Sequence, residues 1–84
     1  MDRELVFAQV VAILKPFVKN QAAFAAVTGQ TAILRDLKVN SARLVEVVLR
    51  IQERFGIQVT DDDADKLRTV GDTVALIERL EGPP

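Results

Sequence analysis

Apolar residues recur at helical spacing in three separate stretches of this chain, and each stretch begins or ends at residues with a clear effect on helices. Val6, Val10, Ile13 and Phe17 follow one another at intervals of four, three and four, which places them on one stripe of a helix. Asp2 offers an N-cap for it, and Glu4 complements the dipole of its first turn. Pro16 lacks an amide hydrogen and biases the preceding residue out of helical backbone, so this helix is expected to end near Lys15. A second helix is expected from Asn40-Ser41 to about Phe55, where Gly56 supplies the stop. A third long one follows Thr69-Val70-Gly71-Asp72, a capping-box pattern with Asp in place of Glu, and buries Val70, Val74 and Ile77. No segment alternates cleanly enough for a strand.

The stretches between them are read from turn chemistry. Residues 17–38 form a long connector in which Ala22–Ala26 suits a helical turn or two and Val27-Thr28-Gly29-Gln30-Thr31 reads as a turn. A connector this long inside a small domain needs its own anchors, and Ile33, Leu34 and Leu37 are available. Asp61–Asp63 and Asp65 open a short helix that closes at Leu67. Gly82-Pro83-Pro84 reads as a frayed tail. With 84 residues there is room for one domain, residues 1–84. The expected fold is all-α: a four-helix bundle of three longer helices and a short third one, with a long loop between the first two.

Composition removes most chemistries. There is no cysteine and no histidine, so thiolate metal sites, disulfides and the usual general base are absent. Eleven basic and twelve acidic residues leave a net charge of −1, a poor footprint for nucleic acid. The apolar runs Val10–Leu14 and residues 22–27 fall far short of the roughly 20 residues of a membrane span, and no charged-then-apolar signal peptide is expected at the N-terminus. A cytoplasmic, monomeric protein without a metal is expected. The Asp61–Asp65 cluster lacks the glycine and terminal glutamate of a calcium-binding loop, so it reads as an acidic helix start.

Ser41 is the only serine. Asn40 or Ser41 is expected to cap the second long helix. A wheel of that helix gathers Leu44, Val48, Ile51 and Phe55 into a core-facing arc flanked by Val47. Ala42, Val45 and Leu49 fall on another side, beside Glu46 and Glu53. They are either a second packing surface against the long loop or a patch on which a partner docks next to Ser41.

The segment Ile33-Leu34-Arg35-Asp36-Leu37-Lys38-Val39-Asn40-Ser41-Ala42-Arg43-Leu44-Val45-Glu46 resembles the signature of the acyl carrier proteins, in which Asp-Leu-Gly-x-Asp-Ser-Leu precedes a partner-recognition helix. Residues 28–31 resemble the family's loop, and residues 57–72 its third helix and the start of its fourth. Four positions depart from the pattern. Asn40 replaces the Asp before the serine, Lys38 replaces the Gly, and Ala42-Arg43 replaces Leu and an often acidic residue. The departures bear on the choice of partner and leave the hydroxyl in place.

The resemblance implies that Ser41, flanked by Asn40 and Ala42, receives 4′-phosphopantetheine from coenzyme A through a phosphopantetheinyl transferase. It implies a carrier that shuttles acyl thioesters between acyl-transferring or condensing enzymes of fatty-acid, lipid or polyketide-type synthesis, and no catalytic residue of its own. An anionic phosphodiester suits a helix N-terminus, and the missing Cys and His suit a protein whose thiol belongs to a cofactor. The implied partner surface is Ala42, Arg43, Val45, Glu46, Leu49, Arg50 and Glu53. From Ser41 to Phe55 there are three arginines against two glutamates, whereas the family's recognition helix is usually acidic. Docking is therefore expected through the apolar patch and its glutamates, with Arg43 and Arg50 repelling general fatty-acid enzymes. Two other readings stay open: a helical interaction module that is never modified, and a peptidyl or aminoacyl carrier, whose Gly-Gly ahead of the serine region Lys38-Val39 does not match. An enzyme with Asp36 as base is disfavoured, since a lone Asp beside a loop more often caps or pairs.

Overall fold

Every helix is started by a side chain that accepts from its own first turn or follows a turn so capped. In the computed structural model, which describes residues 2–81, Asp2 accepts from the Glu4 amide at 3.0 Å and opens α1 (Arg3–Leu14). The helix ends at Leu14 with Lys15 as its C-cap, as Pro16 implies. Pro16 itself sits in a single 3₁₀ turn that follows, Lys15–Phe17, where its missing amide costs nothing. Asn20 then caps a short helix, α2 (Gln21–Ala25), which is the helical segment expected around Ala22–Ala26. Helix α3 (Leu44–Phe55) ends at Gly56, whose φ of 64° is the left-handed conformation that glycine adopts without penalty. Gly56 and Ile57 both donate to the Gln52 carbonyl, at 2.9 and 3.3 Å.

Thr60 and Asp63 form a complete capping box ahead of α4 (Asp61–Asp65). Thr69 and Asp72 form the expected one ahead of α5 (Val70–Glu81): the Asp72 amide donates to the Thr69 hydroxyl at 3.0 Å, and the Asp72 carboxylate accepts from the Thr69 amide at 3.1 Å. The Asp61–Asp65 acids are thus a helix start, as composition implied, and no cluster of metal-binding side chains occurs among the described residues. The tail expected at 82–84 lies outside those residues.

The core lies where α1 packs along α5 and against α3. Val6, Val10 and Leu14 from α1 meet Val70, Val74 and Ile77 from α5, with Val47 and Ile51 from α3. Leu14 is buried where the spacing pointed to Ile13, which packs on the core at its edge. On α3 the buried positions are Val47 and Ile51, while Leu44, Val48 and Phe55 are half-buried. The burial arc is therefore turned towards the Val47 flank, because α3 covers the side of α1.

The long connector is stitched to the start of α5 by backbone hydrogen bonds. Ile33 donates to the Arg68 carbonyl at 2.9 Å, Val70 to Thr31 at 3.0 Å, and Gly71 to Gly29 at 2.8 Å. Its apolar anchors are Ile33, Leu37 and Val39, all buried. Leu34, the third anchor expected from sequence, points outward and is 40% exposed. The turn through residues 32–37 closes on Ala32, whose carbonyl accepts from Asp36 and Leu37 and whose amide donates to Asp36, so Ile33 and Leu37 at its two ends are buried while Leu34 and Arg35 between them face solvent.

Candidate functional site

The segment leading into α3 is held from both sides. The amides of Lys19 and Asn20 donate to the Leu37 carbonyl at 3.1 and 3.2 Å, and the Val39 amide donates to Ile33 at 3.3 Å. Buried Leu37 and Val39 bracket Lys38, which turns outward with a φ of 58°. A lysine in the left-handed region is strained by its Cβ, and this is the position at which the acyl carrier signature has glycine. Asp36 accepts from the Ala32 amide at 2.9 Å. That hydrogen bond holds its carboxyl below the usual range against opposing desolvation, with Arg35 adding to the effect. Asp36 is a structural clasp of the loop, the pairing role expected of a lone Asp beside a loop.

Ser41 opens a 3₁₀ turn, Ser41–Arg43, that runs directly into α3. Asn40 is the cap: its Oδ1 accepts from the Ala42 amide at 2.8 Å, and its carbonyl accepts from the Arg43 amide at 2.8 Å. Of the two capping candidates the structure uses Asn40, so the exposed Ser41 hydroxyl stands outside the cap at the positive end of the helix. The helix proper begins at Leu44, three residues later than the sequence indicated.

Ala42, Val45 and Leu49 do not pack on the loop. Val45 is 64% and Leu49 51% exposed, so the second apolar set is open surface adjoining Ser41. Glu46 pairs with Arg43 at 3.3 Å. The Arg50 guanidinium lies 5.4 Å from the centroid of the Phe17 ring, and Arg54 donates to the Gln9 side chain at 2.8 Å. Glu53 lines a hollow with these last two arginines against α1. Phe17 and Lys19 join the surroundings of the site through the fold alone, being far from Ser41 in sequence.

Comparison with known proteins converges on the same segment. The phosphopantetheine attachment site family matches residues 21–77, which contain Ser41 and everything from α2 to the third turn of α5. The acyl carrier protein of Lactobacillus acidophilus is 39% identical over 56 residues, covering 67% of this chain and 70% of that protein. The meromycolate extension acyl carrier protein of Mycolicibacterium aurum is 38% identical over 55 residues, 66% of this chain and 57% of that protein, so the chain spans just over half of the mycobacterial relative. In three dimensions the acyl carrier protein from Enterococcus faecalis superimposes with a TM-score of 0.78 and 34% identity, over 95% of this chain and 99% of that one. With its helical fold, its exposed serine at the head of α3 and these relatives, the chain belongs to the acyl carrier proteins, the family built around a phosphopantetheine attachment site.

Proposed function

We propose that Ser41 is the attachment residue and that the chain carries acyl groups between partner enzymes as a monomer in the cytoplasm. The observation that carries this reading is the Ser41 hydroxyl itself: the sole serine, exposed, released from capping by Asn40, at the N-terminal end of α3. In the loading step the Ser41 Oγ forms a bond to the phosphorus of coenzyme A nearest the pantetheine, and the pyrophosphate linkage breaks. Adenosine 3′,5′-bisphosphate leaves, and the hydroxyl proton passes to a base on the transferase. No side chain of this protein near Ser41 serves as that base, since Asp36 is bound to the Ala32 amide and Glu46 to Arg43. The chain's own part is to present the oxygen and to accommodate the phosphodiester. The dipole of α3 favours the anion, and the exposed position leaves the hydroxyl accessible to the transferase. When bound, the arm supplies a terminal thiol that holds acyl groups as thioesters.

Partner enzymes are proposed to grip the strip Ala42, Val45 and Leu49, with Arg43, Glu46, Arg50 and Glu53 around it. Incubation with coenzyme A and a broad-specificity transferase tests the attachment: intact mass should rise by one phosphopantetheine and stay unchanged in Ser41→Ala, with helical circular dichroism preserved. A helical protein that never gains mass is an unmodified interaction module.

A further inference from the structure

The net charge of −1 hides a separation. Residues 15–54 hold seven basic side chains and three acidic ones, an excess of four positive charges; the remainder holds four basic and nine acidic, an excess of five negative charges. Ser41 lies in the positive part. Beside it Lys19, Asn40, Arg43, Glu46 and Arg50 line a cleft with the Phe17 ring, and Glu46 is the one carboxylate lining it. Two of its cations are held in place before anything binds. Arg50 rests over Phe17 and Arg43 is tethered to Glu46, so fixing them in a complex loses little further freedom. Lys19 is attached to backbone pinned on Leu37. Next to the cleft, α3 exposes Val45 and Leu49 with no charge between them and Ala42 on their own strip.

From this arrangement, and resting on the carrier reading for what the partner is, we infer that the enzymes served by this protein dock on α3 with an apolar depression rimmed by carboxylates. Complementary charge of that kind speeds encounter and excludes wrong partners. A nucleic acid is a poor occupant, because the cleft offers few cations and no exposed aromatic for stacking. A lipid surface is a poor one too, because two large apolar side chains bury too little.

Two synthetic amphipathic helical peptides with the same leucine face, one flanked by glutamates and one by lysines, test the inference. Each is titrated into the full chain, unmodified and loaded, and followed by NMR amide shifts. The glutamate peptide should move Arg43, Val45, Leu49 and Arg50 and bind roughly tenfold more tightly than the lysine peptide, since three exposed charge pairs contribute a few tenths to 1 kcal/mol each. The difference should shrink as salt rises from about 20 to about 200 mM. Lys19→Glu with Arg43→Glu and Arg50→Glu should invert the preference; the wild-type comparison stands by itself if that variant does not fold. Equal binding, no binding, a preference for lysine, or shifts confined to other residues would overturn the inference. So would stronger shifts of the same amides by phosphatidylglycerol vesicles, or a low-salt dimer that protects them, since the occupant would then be a membrane or a second copy. Loading is read separately by mass, so a peptide failure on protein that loads counts against the acidic partner alone.

Discussion

Lys38 shows how one residue carries both a cost and a choice. Its left-handed backbone, between buried Leu37 and Val39, is forced by the anchors on either side. Glycine there removes the steric penalty but enlarges the freedom of the unfolded chain, and at positive φ the first effect exceeds the second. Lys38→Gly is expected to stabilise the protein by about 1 kcal/mol or less, read as a rise in the midpoint of urea unfolding without a change in slope. A lower midpoint would mean that the lysine side chain contributes more than its strain costs. At the same scale, Asn40 explains why the sequence left the cap open between two residues. Both are good caps, and only the 3₁₀ geometry of residues 41–43 decides that the amide side chain accepts while the hydroxyl stays free.

The elements are joined where the connector meets the head of α5. A Cβ added to Gly71 would lie 2.7 Å from the Gly29 carbonyl oxygen, which is backbone and cannot swing aside. Gly71→Ala is therefore expected to cost about 1–3 kcal/mol and lower the melting temperature by several degrees, and an unchanged melting curve would show that the connector yields easily. The capping box of α4 sets an acid limit. The Thr60 hydroxyl lowers the Asp63 pKa, burial opposes it, and the Thr60 amide and Arg79, 2.9 Å from the carboxylate, lower it further. A carboxylate whose folded pKa is depressed contributes stability that is complete above its unfolded pKa and is lost as pH falls through the folded one. Resistance to urea should thus fall below about pH 4, and less steeply in Asp63→Asn than in wild type. Equal slopes would assign the acid sensitivity to Asp36, which is depressed by its own clasp.

Most of this was legible in the chain. Asp2, Gly56 and the Thr69–Asp72 box each sit where side-chain chemistry alone places them, and the second box at Thr60–Asp63 has the same spacing. The misread positions have separate causes. Ile13 for Leu14 is a choice between two helical spacings from Val10, i+3 and i+4, that only the packing of α1 decides, and Leu34 for Val39 depends on how an irregular loop rotates side chains, which no period describes. The pairing of Arg50 with Phe17 needed the fold, because 33 residues separate them.

Along the whole chain, charge is divided between a positive segment, residues 15–54, which holds Ser41, and a negative remainder. If Arg43 and Arg50 keep general fatty-acid enzymes away, Arg43→Asp with Arg50→Glu should raise turnover by such an enzyme, most at low salt. A double variant no better than wild type would reduce both arginines to solvated surface. The central claim is tested most directly by locating the arm. Trypsin cuts after Lys38 and Arg43 and releases Val39–Arg43, in which Ser41 is the only hydroxyl. After loading from coenzyme A, tandem mass spectrometry should find the added phosphopantetheine on that fragment and on no other. Loading found on a threonine-bearing fragment, or none at all on the folded protein, would contradict the assignment of Ser41.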